Sequence, residues 1–555
     1  MNVMRHRGPA RVLAGVITST GLIATTLVYA AAPAVAAPAP YAGLSTDLGI
    51  TAASSMVITQ GKLFIGTGNS VQVRSLTGQL ISTITGEMGV AELLSSPDGS
   101  TVYAADAASS AISKIDAATG TETAHWTVDA CPIGLALSDG RLFYSYGCAN
   151  GSGGLASIDA GTGADHTDSG LTFAVGGAPV LAGVDGRLVT RAGYTVTSYS
   201  VSGATVTAGN SMSFMDSDAA LTISPDGKSI ALTNMNGYQL SQYDAVTLTQ
   251  AGNFVTGHYP DAVAYNSTSD RIVGGAGTSD RSTGDLIVFD SSSGSELAAA
   301  SADGFNSTWL PNVLPSTLTF GPDLAGHADA LVYALAAPYT GAPVRLIVGP
   351  TSPLTIAHMT LTLGSPKAWG QPLVATVNFP GHPNTALTLK VLPNSGSPIY
   401  VPVRTNQWGV LVAKVGVNFT GRVYAYYGGD LMTRHEAPSA SAIQSYTVPT
   451  RTTASVLGAY KTSGGVLFFR SAAYVQLHIA VAPPHVRTVA VTLQAYAGGR
   501  WVTRQATSFT TNKWGTIDLA LSSSSRNVLL RTIVVMPTTV FNTGSSALTR
   551  TFEIG

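Results

Sequence analysis

Two turn motifs recur in phase about every 42 residues through the first 350 positions, and a second pair of repeats, roughly 100 residues each, fills the remainder. Charged residues make up only 11% of the chain, and small and β-branched residues are abundant. Together these observations predict an all-β fold: a seven-bladed β-propeller followed by two β-sandwich domains. The 555-residue length accommodates several domains, and 45% hydrophobic content supplies a core for each. The expected boundaries are 1–36 for a targeting segment, 41–350 for the propeller, and 351–449 and 450–555 for the sandwiches.

The N-terminus reads as a signal peptide. Arg5, Arg7 and Arg11 form a basic head, Val12 to Ala30 is largely apolar, and Ala34-Val35-Ala36 offers a small-x-small cleavage site before Ala37. An uncleaved anchor is the alternative, because the apolar run is long. The mature protein is expected to be secreted.

The repeat is clearest from Ala91 to Thr123. Ser96-Pro97-Asp98-Gly99 is a tight-turn signal, since Asp-Gly tolerates positive φ, and it separates two strand-type runs. A third run, Ala111 to Ile115, ends at the turn Asp116 to Gly120. Related first turns fall at Gly61, Gly140, Gly186 and Gly227, at steps of 38, 41, 46 and 41 residues counted through Gly99. The second turn recurs in phase, ending at Gly78, Gly120, Gly163, Gly203, Thr247 and Gly294. One such sheet cannot cover both of its faces, so it needs sisters, and four short strands per 40–45 residues is the period of a propeller blade. A last, degenerate unit holds Leu331 to Leu335 and Val344 to Val348, and the chain then leaves for the next domain. That unit lacks an outer strand, and Tyr41 to Ile50 is expected to supply it and so close the ring.

These blades resemble the YVTN-type repeats of bacterial propellers, in which SPDG, an alternating strand and a strand ending in Ile-Asp precede a glycine turn. Ser96 to Gly120 carries that pattern, and the Trp-Asp pair of the WD-repeat class is absent. The resemblance implies the fold and carries almost nothing about activity.

Cys131 and Cys148 are the only cysteines. Pairing across Asp139-Gly140 sets Ser138 opposite Arg141 and Ala136 opposite Phe143; continued outward, it sets Cys131 opposite Cys148. A cross-strand disulfide there suits an oxidising compartment and contributes roughly 3 kcal/mol. Two free buried thiols are the alternative.

Beyond Ser352 the motifs change. Leu387 to Lys390 and Thr405 to Gly409 (TNQWG) return as Val491 to Gln494 and Thr511 to Gly515 (TNKWG). With the Gly-rich turn and Trp501-Val502 of the second unit, they resemble the immunoglobulin-like (Ig-like) repeats of secreted bacterial surface proteins. Tyr446 to Thr453 is expected to be the linker between units, and the matched Trp408 and Trp514 are expected in core or turn packing rather than as sugar platforms. Charge divides at the same boundary: residues 37–350 carry 10 Lys+Arg against 26 Asp+Glu, and residues 351–555 carry 16 against 4. The basic half suits an anionic cell-wall polymer; with no clustered Lys/Arg run, no nucleic-acid partner is expected.

Ligands of a propeller bind where the loops joining strands two and three meet those joining successive blades. Here those loops carry Asp106, Asn234, Asn236 and Asp280, and Asp216, Asp218, His258, Tyr259, Asp261 and Trp309. A glycan, a peptide or a cation fits such a mouth. Asp98, Asp139, Asp185, Asp226, Asp116, Asp159, Asp244 and Asp290 sit at repeated turns of the opposite face, where bonding to local amides is the expected role. His125, His166, His258 and His327 fall on different strand ends, and His435-Glu436 has no second histidine four residues on. No catalytic residue, metal ligand or cofactor site is assigned. The reading is a secreted, monomeric, non-catalytic binding or scaffold protein, with an exported propeller lyase or hydrolase as the alternative.

Overall fold

A computed structural model describes residues 41, 42, 44–128, 131–147, 153–173, 177–216, 218–256, 259–276, 285–301, 311–338, 343–521 and 526–555. From residue 44 to 350 the chain builds successive antiparallel sheets, each a meander in sequence order. The sheet at Val90–Ser95, Thr101–Asp106, Ala111–Asp116 and Thr121–Thr127 is typical. Burial follows position: Thr101–Asp106 is almost wholly buried, whereas Thr121–Thr127 is mostly exposed. The apolar second and third strands are therefore sandwiched between neighbouring sheets and the polar fourth strand faces water.

The innermost strands touch one another in chain order: Ser55–Thr59, Val90–Ser95, Pro132–Ser138, Val180–Val184, Leu221–Ile223, Pro260–Tyr265 and Thr319–Gly321. The last of these then packs against the first. The region is a β-propeller. Its N-terminal strand Leu44–Asp47 pairs antiparallel with Arg345–Pro350, Leu44 opposite Val348, and so forms the outer edge of the last sheet, as the missing strand required. Tyr41–Ala42 goes further and adds a parallel edge to the preceding sheet, against Ala300 and Ser301.

The repeated aspartates earn their places locally. Asp116 accepts from the Thr119 amide at 2.7 Å, Asp159 from Thr162 at 2.8 Å, Asp244 from Thr247 at 2.7 Å and Asp290 from Ser293 at 2.7 Å. Asp98 and Asp226 do the same for Ser100 and Lys228. Asp139 and Asp185 instead reach between sheets: the Asp139 amide donates to Asp185 and the Gly186 amide to Asp139, each at 3.1 Å. Around Asp139-Gly140 the register holds as expected from Ser138–Arg141 to Gly134–Ser145, and then a bulge places Pro132 opposite Tyr146. The pairing is described no further out than Pro132, and Cys148, the partner expected for Cys131, lies outside the described residues.

Residues beyond 351 form two sandwiches with the same strand order. In the first, Thr360–Gly364, Leu373–Asn378 and Val410–Val415 face a sheet ordered Ile399–Arg404, Ala386–Pro393, Gly421–Tyr427. In the second, Arg451–Leu457, Gln476–Ala482 and Thr516–Ala520 face Arg500–Thr510, Thr488–Ala497, Leu529–Met536. Each encloses its own core, the first around Leu389 and Val423, the second around Ile479 and Val534. The segment expected as a linker is part of this packing. Tyr446 is 1% exposed and Val448 is fully buried in the first core, so no free tether joins the sandwiches. Asn542 strengthens that junction, donating to the Asn418 and Val448 carbonyls and accepting from Arg487 at 2.7 Å.

The two TNxWG turns coincide atom for atom. Thr405 and Thr511 donate to the carbonyls of His382 and His485; Asn406 accepts from the Trp408 and Val410 amides, and Asn512 from the Trp514 and Thr516 amides. Gly409 and Gly515 take φ of 76° and 75°, and a Cβ there would strike the carbonyl oxygens of Phe379 and Val481. Gly409→Ala is therefore expected to destabilise the full chain by more than about 1 kcal/mol, read from its urea midpoint. Neither indole packs inward as anticipated: Trp408 is 72% exposed and Trp514 67%.

The first sandwich also grips the propeller. Its Leu431 and Met432 bury themselves against Leu48, Leu331, Tyr333 and Leu346, where the first and last sheets meet, and the Leu324 amide donates to the Met432 carbonyl at 2.9 Å. Beside them the buried Asp323 carboxylate accepts from His327 at 2.7 Å and from His435 of the sandwich at 2.9 Å. Burial opposes ionisation of Asp323, but these bonds and the His327 amide prevail and hold its carboxyl well below the usual range.

Candidate functional site

The loops of the expected ligand face converge around the fifth and sixth sheets. Asp216 lies between the strands Thr205–Ser213 and Leu221–Ile223 and is 7% exposed. Its Oδ2 accepts from the Met235 amide and its Oδ1 from the Asp218 amide, each at 3.0 Å. A carboxylate with both oxygens engaged by backbone is a scaffold for the loop, not a free acid or base. Asn234 ends the strand Ser229–Asn234 and accepts from the Gly237 amide at 2.9 Å, a local turn bond; Asn236 is exposed.

That turn delivers Tyr238, with φ of 52°, to the rim. Its ring meets Tyr259 edge-on, with centroids 5.0 Å apart and hydroxyls 3.3 Å apart. Both rings are about two-fifths exposed (43% and 40%). Asp261 occupies a bulge in the inner strand Pro260–Tyr265, where the register shifts between Pro260 and Ala262. Burial, with the charge of Asp216 adding to it, pushes its carboxyl up to about 6. Arg191, at the end of Arg187–Ala192, is 9% exposed. Burial lowers its pKa while the charges of Asp218 and Asp216 oppose the change, placing all three groups in one electrostatic neighbourhood.

No family model matches the chain, and no curated protein matches it either. Solved structures do align. A chain of the crystal structure of the Mitotic Checkpoint Complex aligns at 15% identity and TM-score 0.42, covering 61% of this chain and 98% of that one. The Myceliophteria thermophila Cps50 (Swd1) beta-propeller domain aligns at 12% identity and TM-score 0.39, covering 54% and 96%. KlHsv2 with loop 6CD replaced by a Gly-Ser linker aligns at 10% and 0.37, covering 64% and 97%. Likenesses this distant say nothing of ligand or partner.

Of the residues expected at the mouth, Asn234, Asn236, Tyr259, Asp261, Asp216 and Asp218 fall in this one neighbourhood. His258, Asp280 and Trp309 lie outside the described residues. Asp106 is elsewhere in character. It is fully buried, at the junction of the first and second sheets, beside Glu87, which is 2% exposed. Ser113 Oγ stands 2.7 Å from Asp106 Oδ2, 2.9 Å from Glu87 Oε2 and 3.0 Å from His125 Nδ1. One hydroxyl proton cannot serve two carboxylates, so a further proton must reside on the pair. Burial, followed by its hydrogen bond to Glu87, pushes the Asp106 carboxyl up to about 8. Glu92 on the inner strand is also raised to about 8 by burial, against the Leu135 amide that donates to it at 2.7 Å. Sequence reasoning missed Glu87, Glu92 and Tyr238. Only Tyr238 had a signal, as an aromatic beside the Asn-Gly turn.

Proposed function

We propose that the chain is an exported, non-catalytic binding scaffold whose propeller mouth takes a glycan or a peptide. In this reading residues 1–36 are removed as a signal peptide. The propeller of 41–350 is seven-bladed and YVTN-like, and 351–449 and 450–555 are Ig-like modules. The cyclic series of inner strands supports the blade count, and the duplicated strand order and TNxWG turns support two modules of one kind. A Cys131–Cys148 bridge belongs to the same reading of an exported protein.

The observation that carries the binding role is the exposed Tyr238–Tyr259 pair, two residues along the chain from Asp261, whose carboxyl feels the charge of Asp216. Ring faces take the C–H face of a sugar or an aliphatic side chain, and the carboxylates take hydroxyl or ammonium donors. His258, Asp280 and Trp309 belong to the same set of loops by their place in the repeat.

A screen of the full chain on glycan and peptide arrays tests this. Tyr259→Ala is expected to weaken the best ligand about tenfold. Because the Asp261 carboxyl titrates near 6, binding through its ionised form is expected to strengthen from about pH 5 to about pH 7. A best ligand indifferent to Tyr259→Ala would refute the site.

A further inference from the structure

We propose a second binding site, for an anionic polysaccharide, on the outer sheet face of the first sandwich. Its centre is Lys390, whose ammonium lies 4.2 Å from the Tyr426 ring centroid and 5.7 Å from that of Tyr424. The cross-strand register sets Lys390 opposite Tyr400 on one side and Tyr424 on the other, so the three tyrosines and the lysine share one face. Tyr400 is 60% exposed. Among the described residues Lys390 has no carboxylate partner: its charge is held against aromatic faces and left unneutralised.

The same face runs into a groove of about 660 Å³, lined by Thr388, Pro402, Tyr426, Asn384, Asp430 and Arg434. Arg434 is fixed there by donating to the Gly381 carbonyl at 2.7 Å, with Asp430 at 3.9 Å. A shelf of ring faces opening into a polar groove suits a chain of pyranose rings, each with an apolar C–H face and a polar rim.

Charge chooses an acidic chain over a neutral one. Of the four carboxylates beyond residue 351, Glu436 is taken by His382 and Tyr427, Asp518 by His478, and Asp430 stands beside Arg434. Sixteen Lys and Arg face that small and largely occupied acidic complement. The second sandwich repeats the arrangement with different residues. Gln494 and Arg531 occupy the places of Lys390 and Tyr424, and the Arg531 guanidinium lies 4.3 Å from the Trp501 ring while donating to Gln494 at 2.9 Å. A cation on an aromatic face has thus been rebuilt at the matching position of a diverged copy.

This site is independent of the propeller mouth, and its test leaves that mouth untouched. The full chain is titrated calorimetrically, at about 0.15 M salt, with sodium alginate, poly(glycerol phosphate), neutral dextran and oligo-deoxythymidine. Alginate is expected to bind and dextran is not. Poly(glycerol phosphate), which carries charge but no sugar ring, is expected to bind more weakly than alginate. Lys390→Gln and Tyr400→Ala are each expected to weaken binding about tenfold, with an unchanged circular dichroism spectrum as the folding control. Tyr259→Ala is expected to have no effect. Failure of alginate to bind, equal or tighter binding of poly(glycerol phosphate), dextran or the oligonucleotide, or indifference to Tyr400→Ala would overturn the proposal.

Discussion

Raising the pH from about 5 to about 9 lowers the stability of this chain by a few kcal/mol, and Asp106→Asn removes about half of that loss. The unfolded aspartate gives up its proton near 3.8, and the folded one holds it to about 8. Between those values the native state binds the extra proton. The stabilisation is therefore complete below the unfolded value and is lost as pH rises through the folded one. At about 1.4 kcal/mol per tenfold change in proton affinity the upper limit is ~6 kcal/mol, which local relaxation reduces. Asparagine in this place never ionises, its amide can donate to Glu87 as the acid proton does, and its oxygen still accepts from Ser113. Urea midpoints of the two proteins should draw apart progressively from about pH 4 to about pH 8 and run parallel above it; curves parallel throughout would mean that the proton sits elsewhere. Glu92, raised to about 8, adds to the same slope. Asp98 and Asp290 act at the other extreme. Hydrogen bonds from their turns hold both at about 2, so what they contribute is present above the ordinary carboxylate value and fades as pH falls through about 2. Because both are solvated turn residues, each contributes little.

How much of this was legible follows from which forces are local. The turns were, because Gly99, Gly120 and Gly140 adopt φ of 67°, 69° and 73°, a demand that sequence states directly. Ring closure was legible as well, since a strand edge at Arg345–Pro350 without a partner leaves a row of unpaired amides, and only the N-terminal segment was free to fill it. The bulge before Gly134 was hidden because Pro132 to Leu137 is an unbroken apolar run, with no alternation to mark the slip. Tyr446 and Val448 looked like a linker because Pro449 follows them, yet their side chains alternate in phase with the first core. At the mouth, Tyr259 and Asp261 were found by their place in the repeat. Glu87 was not, since a carboxylate between two turns resembles any solvated loop residue until a neighbouring sheet closes over it.

The seam of the ring depends on a contact that no repeat foreshadows. Leu431-Met432 reads as a polar loop of the first sandwich, interrupted by two apolar residues, yet these side chains are 5% and 9% exposed. They fill a socket made by the N-terminal Leu48, by Met56 and Leu63 of the first sheet, and by Tyr333 and Leu346 of the last. Those groups are far apart in sequence, and the seam is also held by the pairing of Leu44–Asp47 with the last sheet and by the Met56 amide, which donates to the Ser316 carbonyl at 3.0 Å. Removing the plug therefore opens a cavity at the one place where the ring is closed by strands from opposite ends. Truncation of one buried Leu or Met costs about 2–5 kcal/mol. The double variant Leu431→Ala, Met432→Ala in the full chain is expected to lose at least the lower half of twice that range, and to lose it at the seam first. Hydrogen exchange at Leu44–Asp47 and Arg345–Val348 is the discriminating measurement. Faster exchange confined to those strands, with Thr101–Asp106 still protected, is expected, because the inner sheets keep both neighbours. Uniform acceleration across all sheets would mean that the sandwich steadies the propeller as a whole, and unchanged exchange at the seam would mean that the apolar contact is incidental to closure.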